Sequence, residues 1–214
     1  NIRSTVATYS GIMDQLRTEF GKLSDHYTAA DFSYNTGSLK CPECDGNGQI
    51  SLDAQFLADV HMTCPTCHGT RYRPEVADIQ LEGHSLPQIL ALTAAEAAEL
   101  FAEYKRIVRK LNVLIDLGLG YLTLGEDTPA LSGGEAQRLK LSPELGRNQQ
   151  GTLFVLDEPS VGLHPDDVAV LVGVLDRLIA RGATVIVIEH DLVLQSHLFW
   201  WVSAVSSDIA EMSC

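Results

Sequence analysis

The chain has 214 residues, enough for one large domain or two small ones, and a 45% hydrophobic content lets it bury a sizeable core. Its 15 Lys and Arg against 28 Asp and Glu give a net charge of -13, so the chain as a whole is repelled by nucleic acid and anionic membranes, and any DNA contact needs a local basic patch. The longest apolar runs, such as TVIVI and LFVL, fall far short of the roughly 20 residues of a membrane span, and the start NIRSTVATYS carries no export signal, so a cytoplasmic protein with no membrane partner is expected.

In chain order, Ile12, Met13, Leu16 and Phe20 recur at helical spacing and predict an amphipathic helix. Phe32 to Ser38, FSYNTGS, reads as a turn-rich lead into the first cysteine pair. Four of the five cysteines then fall into two knuckles, Cys41-Pro-Glu-Cys44 and Cys64-Pro-Thr-Cys67, each followed by a Gly-containing turn; the fifth, Cys214, is the last residue. Two Cys-x-x-Cys bites complete a tetrahedral four-thiolate zinc site with no open coordination position, which makes the zinc structural. His61 and His68 lie close by, but four thiolates already fill the shell, so both are expected at the knuckle surface. The stretch between the knuckles, QISLDAQFLADVHMT, predicts a short hairpin. Lys40, Arg71, Tyr72 and Arg73 form a local basic cluster that fits either phosphate contact or a solvated face offsetting nearby acids.

From Thr93 the pattern is helical. Thr93 and Glu96 are spaced as a capping box, and Ala94 to Leu117 predicts one long helix or two joined near Asn112, ended by Gly118 and Gly120. Its basic group Lys105, Arg106, Arg109 and Lys110 splits between turns, which fits a solvated face first and a DNA-facing stripe second.

Leu131-Ser132-Gly133-Gly134-Glu135-Ala136-Gln137 opens a further helix, with Ser132 and Glu135 again spaced as a capping box. Two glycines at a helix start let backbone N–H groups approach an anion, which the helix dipole favours. Thr152 to Pro159, TLFVLDEP, predicts a strand buried on both faces with Asp157 and Glu158 at its carboxyl end, where open α/β sheets bind ligands. Two such carboxylates divide phosphoryl chemistry, Asp157 helping to hold Mg²⁺ and Glu158 polarising the attacking water. After His164-Pro165-Asp166, a helix with the apolar stripe Val168, Leu171, Val172, Leu175, Leu178 and Ile179 runs to Gly182. The strand Thr184 to Ile188 completes a β-α-β unit and leads to Glu189-His190, a histidine suited to bonding a terminal phosphate or the attacking water.

Together ATYSG, FSYN, CPECDGNG, CPTCHGTRY, LSGGEAQRLKL, LFVLDEPSVGLH and VIVIEHDL resemble the C-terminal part of the UvrA branch of the ABC ATPase superfamily, from about Arg3 to about Leu192. The resemblance implies an α/β fold: a partial ABC-ATPase core with a parallel sheet and helices, plus a helical signature subdomain carrying an inserted four-cysteine zinc module. It implies the divisions 1–38 (start of the signature subdomain), 39–80 (zinc module), 81–150 (helical signature region) and 151–214 (Walker B and switch-histidine half of the core). By the same resemblance Ser132, Gly133, Gly134, Glu135 and Gln137 bind the nucleotide of an opposite module, Asp157 is the Walker B acid, Glu158 and His190 are catalytic, and Cys41, Cys44, Cys64 and Cys67 hold zinc. Implied cofactors are structural Zn²⁺ and ATP with Mg²⁺. Implied partners are DNA, a second ABC module or N-terminal half carrying Walker A, a second copy in a homodimer, and a UvrB-like helicase. The implied function is damage recognition in nucleotide excision repair by the excinuclease system, with ATP hydrolysis at composite dimer sites.

The sequence departs from that pattern in three places. It contains no G-x-x-x-x-G-K-[ST] loop, which lies upstream in relatives, so the chain is expected to be inactive alone. Leu141-Ser142-Pro143-Glu144 replaces the family's Ala-Arg-Glu, and a proline in a helix interior breaks it or costs about 3 kcal/mol. After Leu192 the family's Gly-rich ending is absent. Two other readings remain open: a zinc-dependent binding module without ATPase activity, since CPECDGNG resembles the DnaJ-type repeat that CPTCHGTR breaks, and a drug-resistance paralogue of the same family.

Overall fold

The amphipathic segment near the start is a helix in the computed structural model, which describes residues 3–52, 60–145, 149–160 and 165–188. The chain divides into two units, one of residues 1–115 with 120–130 and one of 116–119 with 131–214.

The first unit opens with α1 (Val6–Tyr9), capped by Thr5, whose hydroxyl accepts from the N–H of Thr8 while its own N–H donates to the Thr8 hydroxyl. Next, α2 (Ile12–Leu23) buries Ile12, Met13, Leu16 and Phe20, as their spacing predicts. The FSYN stretch, a turn by sequence, also supplies core. Phe32 and Tyr34 are buried, Phe32 packs on Phe20 at 5.5 Å between ring centres, and the Tyr72 hydroxyl donates to the Phe32 carbonyl at 2.8 Å.

Between the knuckles, β1 (Gln49–Leu52) pairs antiparallel with β2 (Val60–Thr63), in register from Gln49 with Thr63 to Leu52 with Val60. This is the expected hairpin; its tip, 53–59, lies outside the described residues. A second hairpin, β3 (Gln80–Leu81) with β4 (His84–Ser85), turns at Glu82 and Gly83. Both have positive φ, 50° and 75°, as a two-residue primed turn requires.

Three helices follow: α3 (Leu86–Ala91), α4 (Ala94–Leu100) with the expected Thr93–Glu96 capping box, and α5 (Lys105–Asp116). The helical stretch does break in two, but at Phe101 to Tyr104 rather than near Asn112. Phe101 leaves the helix at φ −100°, ψ 25° to bury its ring, which meets Tyr104 edge-on at 5.5 Å, whereas Asn112 sits exposed within α5 and disturbs nothing.

The second unit holds α6 (Gly133–Leu145), then β5 (Leu153–Asp157), α7 (Pro165–Ala180) and β6 (Thr184–Ile188). Pro143 does not break α6. The described helix runs through it from Gly133 to Leu145, with the loss of the one ladder N–H that proline lacks. The strands pair in parallel from Leu153 with Thr184 to Asp157 with Ile188, completing the expected β-α-β unit. On α7, Val168, Leu171, Leu175 and Leu178 are buried as predicted; Val172 and Ile179 are half-buried, and Val174 is fully buried in addition.

The sheet corrects one expectation. β5 is not buried on both faces: it and β6 alternate exposed and half-buried side chains, leaving Leu153, Val155, Ile186 and Ile188 exposed together. α7 packs on β6, and among the described residues no second layer covers the other face. No helix among the described residues is long and apolar enough to cross a membrane.

Candidate metal centre and nucleotide site

The two knuckles fold alike because their sequences repeat. In each, the residue four beyond the first cysteine or its neighbour turns back on it: the His68 N–H donates to the Cys64 carbonyl, and the Gly46 N–H to that of Cys41. Both turns use left-handed backbone, at Asp45-Gly46 and at His68-Gly69. Glycine is obligatory at 46, since a Cβ there would run into the Tyr34 carbonyl oxygen. The hairpin then closes one knuckle on the other, with the Cys64 N–H donating to Gly48 O and the Cys41 N–H to Arg71 O, both at 2.9 Å.

All four cysteines are buried, and their sulfurs lie within 4.8 Å of one another. Cys41 and Cys64 Sγ are 3.9 Å apart, Cys44 and Cys67 Sγ 3.6 Å. Four thiolates about 2.3 Å from a tetrahedral zinc have edges of about 3.8 Å, so the cage fits that ion, and it is too open for disulfides of about 2.05 Å. Burial pushes the Cys67 thiol up to about 12 and raises that of Cys44. Burial also opposes ionisation at Cys64, but N–H groups at Cys67 and Thr66 and the neighbouring thiols outweigh it and bring that thiol down to about 7. His68 is exposed, as expected beside a filled shell.

The basic cluster next to the cage is not a free phosphate patch. Lys40 and Arg3 both pair with Asp45, whose carboxyl they hold below its usual range, and buried Arg71 pairs with Asp127. Arg73 stays exposed. On α5, Lys105, Arg106 and Arg109 are exposed, while Lys110 Nζ donates to the Ser10 carbonyl at 3.2 Å.

In the second unit the predicted capping box forms. The Ser132 N–H donates to the Glu135 carboxylate at 2.7 Å, and the Glu135 N–H to the Ser132 hydroxyl at 3.3 Å. The first-turn amides of Gly133 and Gly134 are not needed by the helix ladder, and nothing lies within 4 Å of where a Gly133 side chain would start.

Asp157 closes β5 and Glu158 follows, both exposed. Glu158 has φ 45°, a left-handed conformation that costs a non-glycine residue. Its N–H donates to Ile188 O at 2.8 Å, which ties it to the carboxyl end of β6. A cleft of about 150 Å³ is lined by Gln137, Lys140, Leu141, Leu156, Asp157, Pro159 and Leu171. The structure therefore brings Gln137 and Asp157 to one cleft. His190, two residues past Ile188, lies outside the described residues, as do Val161 to His164.

Two arginines are buried: Arg71, expected in a basic cluster facing phosphate or solvent, and Arg138 on α6, 2% exposed, which the sequence did not single out. Gly134, Arg138 and Ser142 share a buried face at i, i+4 and i+8, a small and polar stripe that hydropathy does not reveal.

No family model matches the chain. It is 44% identical over 203 residues to UvrABC system protein A of Thermus thermophilus, covering 92% of this chain and 21% of that protein. The match to UvrABC system protein A of Bacillus subtilis is also 44% identical, over 195 residues, covering 89% and 20% respectively. The crystal structure of UvrA2 from Deinococcus radiodurans superposes with a TM-score of 0.85 at 42% identity, over 92% of this chain and 25% of that one. These matches place the chain in the UvrA family, as a segment spanning about one fifth of the length of its curated relatives.

Proposed function

We propose that this chain is the signature, Walker B and zinc-bearing segment of a UvrA-type ABC ATPase acting in DNA damage recognition during nucleotide excision repair. The carrying observation is the edge where β5 and β6 end. Asp157 and Glu158 stand exposed there, with Glu158 held in a left-handed conformation by the carboxyl end of β6. Acid residues at that edge suit a nucleotide's metal and phosphates. Asp157 is the group to hold Mg²⁺, which neutralises phosphate charge when bound, and Glu158 is the base that takes a proton from the attacking water.

His190 serves the same edge as a phosphate or water partner. Ser132, Gly133, Gly134, Glu135 and Gln137 act on the γ-phosphate of ATP held by a second module, through the open first turn of α6. Cys41, Cys44, Cys64 and Cys67 hold zinc as a structural ion, and their module adjoins the DNA-binding surface. The assembly is a homodimer that passes damaged DNA to a UvrB-like helicase.

The phosphate loop must come from elsewhere in the assembly, because this sequence contains none. The purified chain should therefore bind about one zinc yet turn over no ATP. Adding a Walker A-bearing partner half should restore turnover, and Glu158→Gln should then lower it by about 10²–10⁴-fold. Robust hydrolysis by the chain alone, free of contaminants, overturns this reading.

A further inference from the structure

Arg71 makes three kinds of contact. Its carbonyl accepts from the Cys41 N–H at 2.9 Å, which ties its main chain to the first knuckle, and it follows Cys67 of the second knuckle by four residues. Its guanidinium lies over the Tyr34 ring, Cζ 5.0 Å from the ring centre, and Nη2 donates to the Asp127 carboxylate. The residue is 8% exposed and takes φ 72°, a conformation that a non-glycine residue keeps only when its surroundings hold it there.

Asp127 belongs to a segment tied to the ends of α3 and α1, where the Leu124 and Gly125 N–H groups donate to Leu92 O at 3.0 Å and Leu90 O at 2.7 Å, and Arg71 links that segment to the knuckles. Glu126 O accepts from the Val6 N–H at 3.0 Å, the Thr128 N–H donates to Ser4 O at 2.9 Å, and Thr5 bridges to Asp127 while its hydroxyl meets the Tyr34 hydroxyl at 3.0 Å. The chain then runs through the 3-10 turn Thr128–Ala130 straight to Leu131 and Ser132.

We propose that Arg71 is a positioning residue that makes the order of residues 124–130, the lead-in to the signature loop, depend on the metal in the four-cysteine cage. A bound metal fixes both knuckles, and with them the backbone of Arg71. That orients the guanidinium so that one charge-assisted bond and one ring face hold Asp127. Without the metal, the left-handed backbone at Arg71 loses its support and the pin loosens. The proposal rests on the zinc reading of the cage.

The test is amide hydrogen exchange, read peptide by peptide on the full chain, zinc-loaded and zinc-stripped, with zinc content measured on the same samples. Stripping zinc should speed exchange in the knuckles and also in 124–130, while α7 stays unchanged. Arg71→Met should still bind zinc, but the zinc-dependent protection of 124–130 should fall by about tenfold; Arg71→Lys, which keeps the charge without the fork, should restore part of it. Asp127→Asn breaks the same pair from outside the module and should reproduce the loss even if Arg71→Met fails to fold. Unchanged zinc-dependent protection of 124–130 in Asp127→Asn or in a folded Arg71→Met overturns the proposal, as does a wild-type segment indifferent to zinc. A wild-type chain that binds no zinc overturns the metal reading itself.

Discussion

Protons compete directly for the metal cage. Cys67, pushed up to about 12 by burial, and Cys44, also raised, are both protonated thiols near neutral pH before a metal arrives. Zinc takes thiolates, so its binding releases at least those two protons. The affinity should therefore weaken as pH falls, by at least about a hundredfold per pH unit, and more steeply once Cys64, near 7, is also protonated. Competition against a chromophoric chelator at several pH values measures this slope, and a flat profile would rule out the four-thiolate ligand set. The clustering of the four cysteines was legible, because two Cys-x-x-Cys bites carry their own geometry. The pairing of Arg71 was not: spacing reveals which residues bite a metal, but charge pairing across 56 positions, from Arg71 to Asp127, exists only after folding.

Periodicity announced α2 and α7 well, since their buried residues recur at the spacing of one helix face. The break between α4 and α5 had no such signal. It comes from Phe101 turning inward against Tyr104, a tertiary preference written over a sequence of good helix formers. The apolar run of β5 likewise could not say how many faces would be covered, because continuous hydrophobicity marks the strand and not its neighbours. α6 offers the sharpest test at this scale. Pro143 withholds one N–H from the helix ladder. Pro143→Ala should raise the stability of the second unit, by up to roughly 3 kcal/mol, the cost of proline inside a helix. Urea denaturation followed by circular dichroism reads the shift, with zinc content as the control for the first unit. A loss of stability would mean that the ring itself packs, and that the substitution into this helix was compensated.

For the whole molecule, the exposed face of the β5–β6 sheet matters most. Leu153, Val155, Ile186 and Ile188 are 57%, 59%, 48% and 49% exposed, side by side on two paired strands. Burying what remains of four such side chains is worth on the order of 3–6 kcal/mol, a large share of the 5–15 kcal/mol that stabilises a typical domain. On the function proposed above, the occupant expected on this face is the part of the ATPase core that carries the phosphate loop, which this sequence does not contain. Alone, the chain should bind an apolar dye and self-associate. Val155→Lys with Ile186→Lys should suppress both, since each residue is more than about two-fifths exposed and its replacement meets solvent. The same pair should leave zinc content unchanged yet abolish association with the Walker A-bearing half, and with it the restored ATP turnover. Dye binding and sedimentation velocity check the first claim, and turnover of the mixed halves checks the second. If the double variant still assembles into an active ATPase, the face is not where the core is completed, and the phosphate loop must reach Asp157 and Glu158 by another route.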